Sequence, residues 1–385
     1  MKHVFITGAT GAIGSALVPL LLAEQDTQIS LLIRAKSQSD LEGRLQGMLH
    51  FWGIAPSDQA LSKRLMALRG DVSVPCFGLT PDSYDRLTKE TTHIIHAAAN
   101  VKMTLPLEAA RASAVTSVQS ILALAESCKS YGVLSKVDIV STVGVAGRTA
   151  GLVPERPMPE VKRFHNTYEA AKAEAEKVVL AQWRKGLPIT LHRPSMVVGD
   201  ARTGKIMHFQ VFYHLCEFLS GRPTCGLVLR AQDAVLDIIP VDYVVRAIHW
   251  ANVHPDTAGH IFHLCSGPED AIAIPTLMAK VRDFMRASGI SLPRLYPIPL
   301  TVFRTLLPVM ALLTPPRVRR ALYTLPLFLD YLAEPQTFAN VETQKLLTPT
   351  GIRVPPVDTY LETILTYYHQ ARSVSSMNTL ASVEA

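Results

Sequence analysis

Short apolar runs recur along the first half of the chain: VFIT (4–7), ISLLIR (29–34), LMALRGD (65–71), HIIHAAA (93–99), KVDIVST (136–142) and ITLHRPSMVVG (189–199). Each is too short for a helix and lacks the strict apolar–polar alternation of a strand with one wet face, so it reads as a strand buried on both faces. Helix-length amphipathic pieces separate the runs. Two are clear, at about 107–131 and 166–185, the second stopped by Gly186 with Pro188 just beyond. Strands and helices alternating in this way predict an α/β fold, a Rossmann-type doubly wound parallel sheet.

The texture changes after Gly199. Proline becomes more frequent and strand-like runs return only near VLDII (235–239) and HIFHLC (260–265). The expected organisation is a dinucleotide-binding domain over 1–200 and a smaller, mostly helical substrate-binding region over 201–372. Residues 235–265 of that region would partly rejoin the sheet. The small and polar stretch 373–385 is expected to be a disordered tail.

One later segment is more apolar than the rest. YPIPLTVFRTLLPVMALLTPP (296–316) is interrupted by Arg304 and prolines and followed by Arg317, Arg319 and Arg320. The uninterrupted part is short of the roughly 20 residues that span a bilayer. Two readings stay open: an interfacial anchor over 295–320 beside anionic head groups, and a lid over a greasy substrate tunnel.

Composition narrows the class. With 48% hydrophobic and 18% charged residues in 385, the chain can bury a large core. Its five cysteines are scattered without CxxC spacing, so neither a disulfide framework nor a metal site is expected. The net charge of +6 suits an anionic partner, but lysine and arginine form no long run, which argues against nucleic acid. MKHVFITGATG lacks the apolar core of a signal peptide, so a cytoplasmic enzyme is expected, with peripheral contact at the inner membrane surface as an extension.

Chemistry enters with TGATGAIG directly after the first strand. Gly8, Gly11 and Gly14, with Thr10, Ala12 and Ile13 between them, have the spacing of a loop that turns tightly, lets backbone approach a pyrophosphate and opens a helix against the strand. Twenty residues on, where a carboxylate would bind the ribose hydroxyls of NAD, stands Arg34, with Lys36 and Arg44 nearby. A guanidinium there can grip a 2′-phosphate, so NADPH is expected over NADH. Asp71 and Val72 end the third strand where the adenine would lie. Ala97, Ala98 and Ala99 leave room for the cofactor at the end of the fourth.

The fifth strand brings Ser141 and Thr142 to the edge where ligands bind in such sheets. In NTYEAAKAEAEK (166–177), Tyr168 and Lys172 are one helical turn apart on the same face, which Ala175 and Val179 continue. A phenol with a pKa near 10 is a weak acid–base group at neutrality, and a neighbouring ammonium stabilises its anion. The glutamates of the stretch read as solvated helix surface.

Glycine loop, strand-end Ser/Thr and YxxxK together resemble the extended short-chain dehydrogenase/reductase superfamily. The resemblance implies a catalytic set of Thr142, Tyr168 and Lys172. Tyrosine would be the proton donor or acceptor, lysine would lower its pKa and hold the nicotinamide ribose, and threonine would position the substrate carbonyl. Over roughly residues 1–265, TGATGAIGSALVPLLL, LLIRAKS, GDVSVPCFGL, IIHAAANVKMTLPLEAAR, VSTVGVAG, RPSMVVGDARTG and IIPVDYVVRAI, in this order, look like the thioester reductase and fatty acyl-CoA reductase branch. That branch implies NADPH-dependent reduction of an acyl thioester, on coenzyme A or an acyl carrier protein, to an aldehyde and sometimes to the alcohol.

By placement, Pro194, Ser195 and Met196 would border the nicotinamide, and the helix 209–219 with the segment 295–316 would line an acyl channel. Beyond residue 265 no family pattern is evident. Adenylation and carrier modules are not part of the sequence, so a thioester supplied by a separate enzyme is expected. The alternatives are a ketone/alcohol or nucleotide-sugar oxidoreductase of the same superfamily and, in a different class, a nucleotide-sensing binding protein without turnover.

Overall fold

The computed structural model describes residues 1–381 apart from 56, 59, 60, 62, 231–233, 300 and 307–335. Seven strands form one sheet: β1 (Lys2–Thr7), β2 (Thr27–Ile33), β3 (Leu65–Arg69), β4 (His93–His96), β5 (Lys136–Val140), β6 (Ile189–Pro194) and β7 (Ile261–Leu264). All neighbours pair in parallel, in the order β7-β6-β5-β4-β1-β2-β3. The chain therefore winds outward from β1 to β3, returns to the other side of β1 as β4, and winds outward again. Between β1 and β4 lies the topological switch, where such sheets open a crevice at their carboxyl ends.

Both faces are covered, as the unbroken apolar strands require. On one face α1 (Ala12–Leu22), α2 (Gln38–Trp52) and a later helix, Val241–Val253, share a core with Val4, Ile6, Ile29 and Leu31. On the other, α3 (Pro81–Glu90), α4 (Ser117–Ser130) and α5 (Thr167–Arg184) cover Phe5, Ile94, Val137 and Ile139. A short helix at Leu107–Arg111 and a π turn at Ala112–Thr116 lead into α4. Asn166 caps α5, its side chain accepting from the Glu169 amide at 3.0 Å.

A second core gathers the later part of the chain. The helices α6 (Val211–Leu219), α7 (Val241–Val253), α8 (Ile274–Ala287), α9 (Val341–Leu347) and α10 (Leu361–Ala381) follow in order. Three of them, α6, α8 and α10, pack Phe212, Leu277 and Ile364 together with Phe303. Of the apolar 295–316 segment, residues 296–298 form a short strand beside Leu227–Leu229, and Phe303 meets Phe218 edge-on at 5.6 Å. The rest of that segment from 307, with Arg317, Arg319 and Arg320, lies outside the described residues. Among the described residues no helix is long and apolar enough to cross a membrane.

Two expectations differ from the structure here. The stretch read as a tail continues α10 as far as Ala381, since no glycine or proline interrupts it. In α6, Phe212, Tyr213, Leu215, Cys216, Phe218 and Leu219 are all buried in the second core, so the side chains expected along an acyl channel serve packing instead.

Candidate active site

The site is assembled from strand ends around the switch. Gly8 follows β1 with φ +78°, and a Cβ there would stand 2.5 Å from the backbone of Ala97 and Ala98 at the end of β4. The turn is held by the Gly11 amide donating to the Gly8 carbonyl at 2.9 Å. At Gly14, inside α1, a Cβ would lie 2.2 Å from that same carbonyl oxygen. Only hydrogen at both positions lets helix, loop and neighbouring strand close together, leaving the loop amides at the positive end of α1. Residues that pack this tightly form the cradle a dinucleotide pyrophosphate needs, so the fold fits that group.

Around the loop, Thr10, Gly11 and Ile13 are partly exposed, while Ala12 and Gly14 are buried. His208, from the second region, places its Nε2 3.1 Å from the Thr10 carbonyl oxygen. Arg34 is exposed at the end of β2, and its charge reaches Asp71. Burial raises the Asp71 carboxyl, but hydrogen bonds from the Ser73 hydroxyl (2.6 Å) and amide (2.9 Å), with Arg34, leave it below the usual range. Val72 is half-buried beside it. Lys36 is exposed, and Arg44 pairs with Asp40 at 3.2 Å along α2 rather than turning toward Arg34. Ala97 and Ala98 are half-buried and Ala99 exposed.

The structure brings Thr142, Tyr168 and Lys172 together. Thr142 leaves β5 in an extended conformation (φ −159°) and accepts from the Gly144 amide at 3.1 Å, and its side chain lies close enough to the Tyr168 phenol to influence it. Tyr168 is half-buried as a whole residue, with protein packed around its hydroxyl. That burial, with the Glu169 charge, pushes the phenol up to about 12 despite the opposing influence of Thr142. Lys172 is 4% exposed and donates to the Val140 carbonyl at 2.9 Å. Burial lowers its ammonium to about 8, with the Glu176 charge opposing. Here the structure departs from the resemblance: the lysine is turned to the strand end and does not depress the tyrosine, because desolvation dominates both groups.

The glutamates of α5 are not all surface. Glu169 is 1% exposed and accepts from the His165 amide at 2.9 Å, the His165 ring Nδ1 standing 3.0 Å away. Glu176 is 4% exposed and accepts from the Ser141 hydroxyl at 2.9 Å and from Arg193 Nε at 3.1 Å, with Arg193 Nη2 on its other oxygen. Both stand where the helix faces strand ends and loops rather than water. His96, at the end of β4, meets Thr7 Oγ1 through Nδ1 at 2.7 Å, and burial followed by the Lys172 charge lowers it to about 3. A polar residue one helical turn after Lys172 was the available signal for Glu176; its significance depends on Arg193, distant in sequence.

Pro194 ends β6 and is buried, while Ser195 and Met196 are half-buried. The Ser195 hydroxyl donates to half-buried Asp237 at 2.6 Å, and Asp237 also accepts from the Ser266 amide at 2.9 Å. This ties the ends of β6 and β7 to the 235–239 segment, part of which lies beside the main sheet as a two-stranded pair with Met196–Val198.

A family model described as male sterility protein, of NAD-binding type, matches residues 6–248. A linear gramicidin synthase of Brevibacillus parabrevis is 28% identical over 266 residues, covering 68% of this chain and 5% of that protein. A putative fatty acyl-CoA reductase of Drosophila melanogaster is 27% identical over 292 residues, 64% of this chain and 51% of that protein. The terminal R domain from the myxalamid PKS-NRPS biosynthetic pathway superposes with a TM-score of 0.79 at 28% identity, over 96% of this chain and 91% of that one. The chain spans only 5%, 20% and 27% of the length of the first three curated relatives. With its parallel sheet, glycine cradle and Thr–Tyr–Lys cluster, the chain belongs to the male sterility protein family, in the thioester reductase and fatty acyl-CoA reductase-like branch of the extended short-chain dehydrogenase/reductases.

Proposed function

We propose that this chain is an NADPH-dependent reductase that converts an acyl thioester, carried on coenzyme A or an acyl carrier protein, to the aldehyde. The observation that carries the reading is the approach of the Thr142 and Tyr168 side chains beside buried Lys172, at the carboxyl end of β5 on the β4 side of the glycine cradle. The likeness to a terminal R domain over 96% of the chain supports thioester chemistry in particular.

The cofactor, when bound, supplies hydride to the thioester carbonyl carbon. Gly8, Gly11 and Gly14 would hold its pyrophosphate, Arg34 and Lys36 would attract a 2′-phosphate, and Asp71 would serve the adenine end. Thr142 and Tyr168 donate to the carbonyl oxygen as negative charge develops on it, which is where preorganised donors act most strongly. Tyr168 then passes its proton to that oxygen. With the phenol at about 12 and the ammonium at about 8, both are protonated at neutral pH, the state needed for a donor in the reducing direction. Collapse of the hemithioacetal releases the thiol and leaves the aldehyde.

The test is NADPH oxidation with a series of acyl-CoA chain lengths and an acyl carrier protein, scored by free thiol and trapped aldehyde. Thiol and aldehyde in equal amounts are expected. No thiol from any thioester, with turnover of ketones or nucleotide sugars, would replace this reading with the carbonyl-reductase alternative. NADPH binding with no turnover of any of these would leave a nucleotide sensor.

A further inference from the structure

We propose that Glu176, clamped by Arg193, is a positioning residue for the reaction: it is the fixed counter-charge that keeps buried Lys172 an ammonium and locks the Val140–Ser141–Thr142 strand end on which the catalytic hydroxyl sits. This rests on the Thr142–Tyr168–Lys172 reading above.

The geometry is a buried polar chain crossing several elements. Lys172 holds the Val140 carbonyl at 2.9 Å, and the next residue, Ser141, donates its hydroxyl to Glu176 Oε2 at 2.9 Å. Residues 140 and 141 are thus fixed from α5 by two contacts one helical turn apart, immediately before Thr142. Glu176 is in turn gripped by both Nε and Nη2 of Arg193, which is 0% exposed on β6. The remaining Arg193 nitrogen, Nη1, donates to the Arg156 carbonyl at 2.9 Å and meets His263 Nε2 at 3.0 Å. His263 Nδ1 reaches the Ala339 carbonyl at 2.9 Å, so its ring accepts from Arg193 as the neutral tautomer. All three guanidinium nitrogens are engaged, and the carboxylate is held from two sides.

Such a carboxylate matters because, among the described residues, Glu176 is the anion whose charge acts on Lys172. Facing the lysine on its own helix are Tyr168 and Glu176, and from β4 comes neutral His96. The loop Val143–Ala146 and the π turn Ala112–Thr116, both packed on α5, carry no charged residue. Arg111 of the preceding helix pairs with Glu108 and Glu174 toward solvent, and Glu126 and Lys129 of α4 are exposed. An ammonium so enclosed would give up its proton without a fixed partner. Removing the Glu176 charge therefore lowers the pH at which Lys172 becomes neutral.

The experiment uses the full chain, comparing Glu176→Gln, the charge-free double variant Glu176→Gln/Arg193→Gln, and Glu176→Asp. Profiles of kcat against pH, KM, thermal unfolding and NADPH affinity by fluorescence are recorded for each. Expected for the variants without the Glu176 charge, where they fold, is an alkaline limb displaced downward by about one unit, with kcat at neutral pH falling about tenfold and KM changing less than threefold. Glu176→Asp should keep the limb and lose only part of kcat. An unchanged limb in a folded variant without the Glu176 charge overturns the proposal. So does failure of both such variants to fold while Glu176→Asp matches the unsubstituted chain in kcat, which assigns Glu176 to stability alone. NADPH affinity across pH needs no thioester: it should weaken about one unit lower in the variants without the Glu176 charge even if the substrate reading fails.

Discussion

The Lys172 ammonium lies 2.9 Å from the Val140 carbonyl oxygen, inside protein rather than against solvent. A lysine so placed is held near its point of neutralisation, and both activity and stability should register it. Its pKa falls from 10.5 to about 8 on folding, largely through burial. Reduction by the proposed mechanism should therefore decline as pH rises through about 8, the limb to be read from kcat with saturating NADPH.

The same shift has a stability consequence. Between about 8 and 10.5 the unfolded chain binds more protons than the folded one, so this group makes stability rise with pH across that window and exerts its full cost below it. The cost is on the order of 3 kcal/mol at neutral pH. Lys172→Met should accordingly abolish turnover yet raise Tm at neutral pH by about 2 °C or more, with the gain shrinking by pH 10. Calorimetry at the two pH values checks it, and a lowered Tm at neutrality would contradict the burial argument.

Tyr168→Phe removes the proton donor while leaving the ring. Turnover should fall by a factor on the order of 10² to 10⁴, and NADPH affinity should stay within about threefold because the glycine cradle is untouched. Pre-steady-state hydride transfer paired with a binding titration separates the two effects. Turnover equal to that of the unsubstituted chain would take the proton-donor role from Tyr168.

Gly8→Ala tests the cradle. A methyl group at φ +78° and 2.5 Å from the Ala97 backbone must push β1 and β4 apart at the switch. The expected result is a loss of about 2 kcal/mol in stability and at least a tenfold weaker NADPH affinity. Denaturant unfolding and fluorescence titration measure them.

For cofactor choice, Arg34→Ala should weaken NADPH at least tenfold more than NADH. Arg44→Ala should change neither by more than about twofold, since its guanidinium already belongs to Asp40 on an exposed helix face where such pairs contribute little. An equal effect of Arg34→Ala on both cofactors would remove the 2′-phosphate contact.

Much of this site was legible in the chain because it depends on local chemistry. Six of the sheet strands were visible as apolar runs in the first half, and HIFHLC supplied β7. The glycines were visible because backbone crowding leaves few alternatives, and Tyr168 and Lys172 because α-helical spacing alone puts them on one face. Alanine and valine at 175 and 179 correctly marked that face as buried.

What sequence could not reach were relations between distant residues. Glu169 and Glu176 look like ordinary helix decoration until β5, β6 and the His165 turn are folded against them, because burial is a property of what covers a side chain. Likewise only the fold sets the Arg34 charge near Asp71, whereas the Arg44–Asp40 pair is a local one, four residues apart on one helix. The sequence by itself determined the parallel sheet and the glycine loop, since periodicity and steric demand are local, while the Thr–Tyr–Lys set is what the family resemblance implies. Tertiary structure alone decided the protonation of that set, since the pKa of a buried group is set by desolvation and by partners the chain brings from far away.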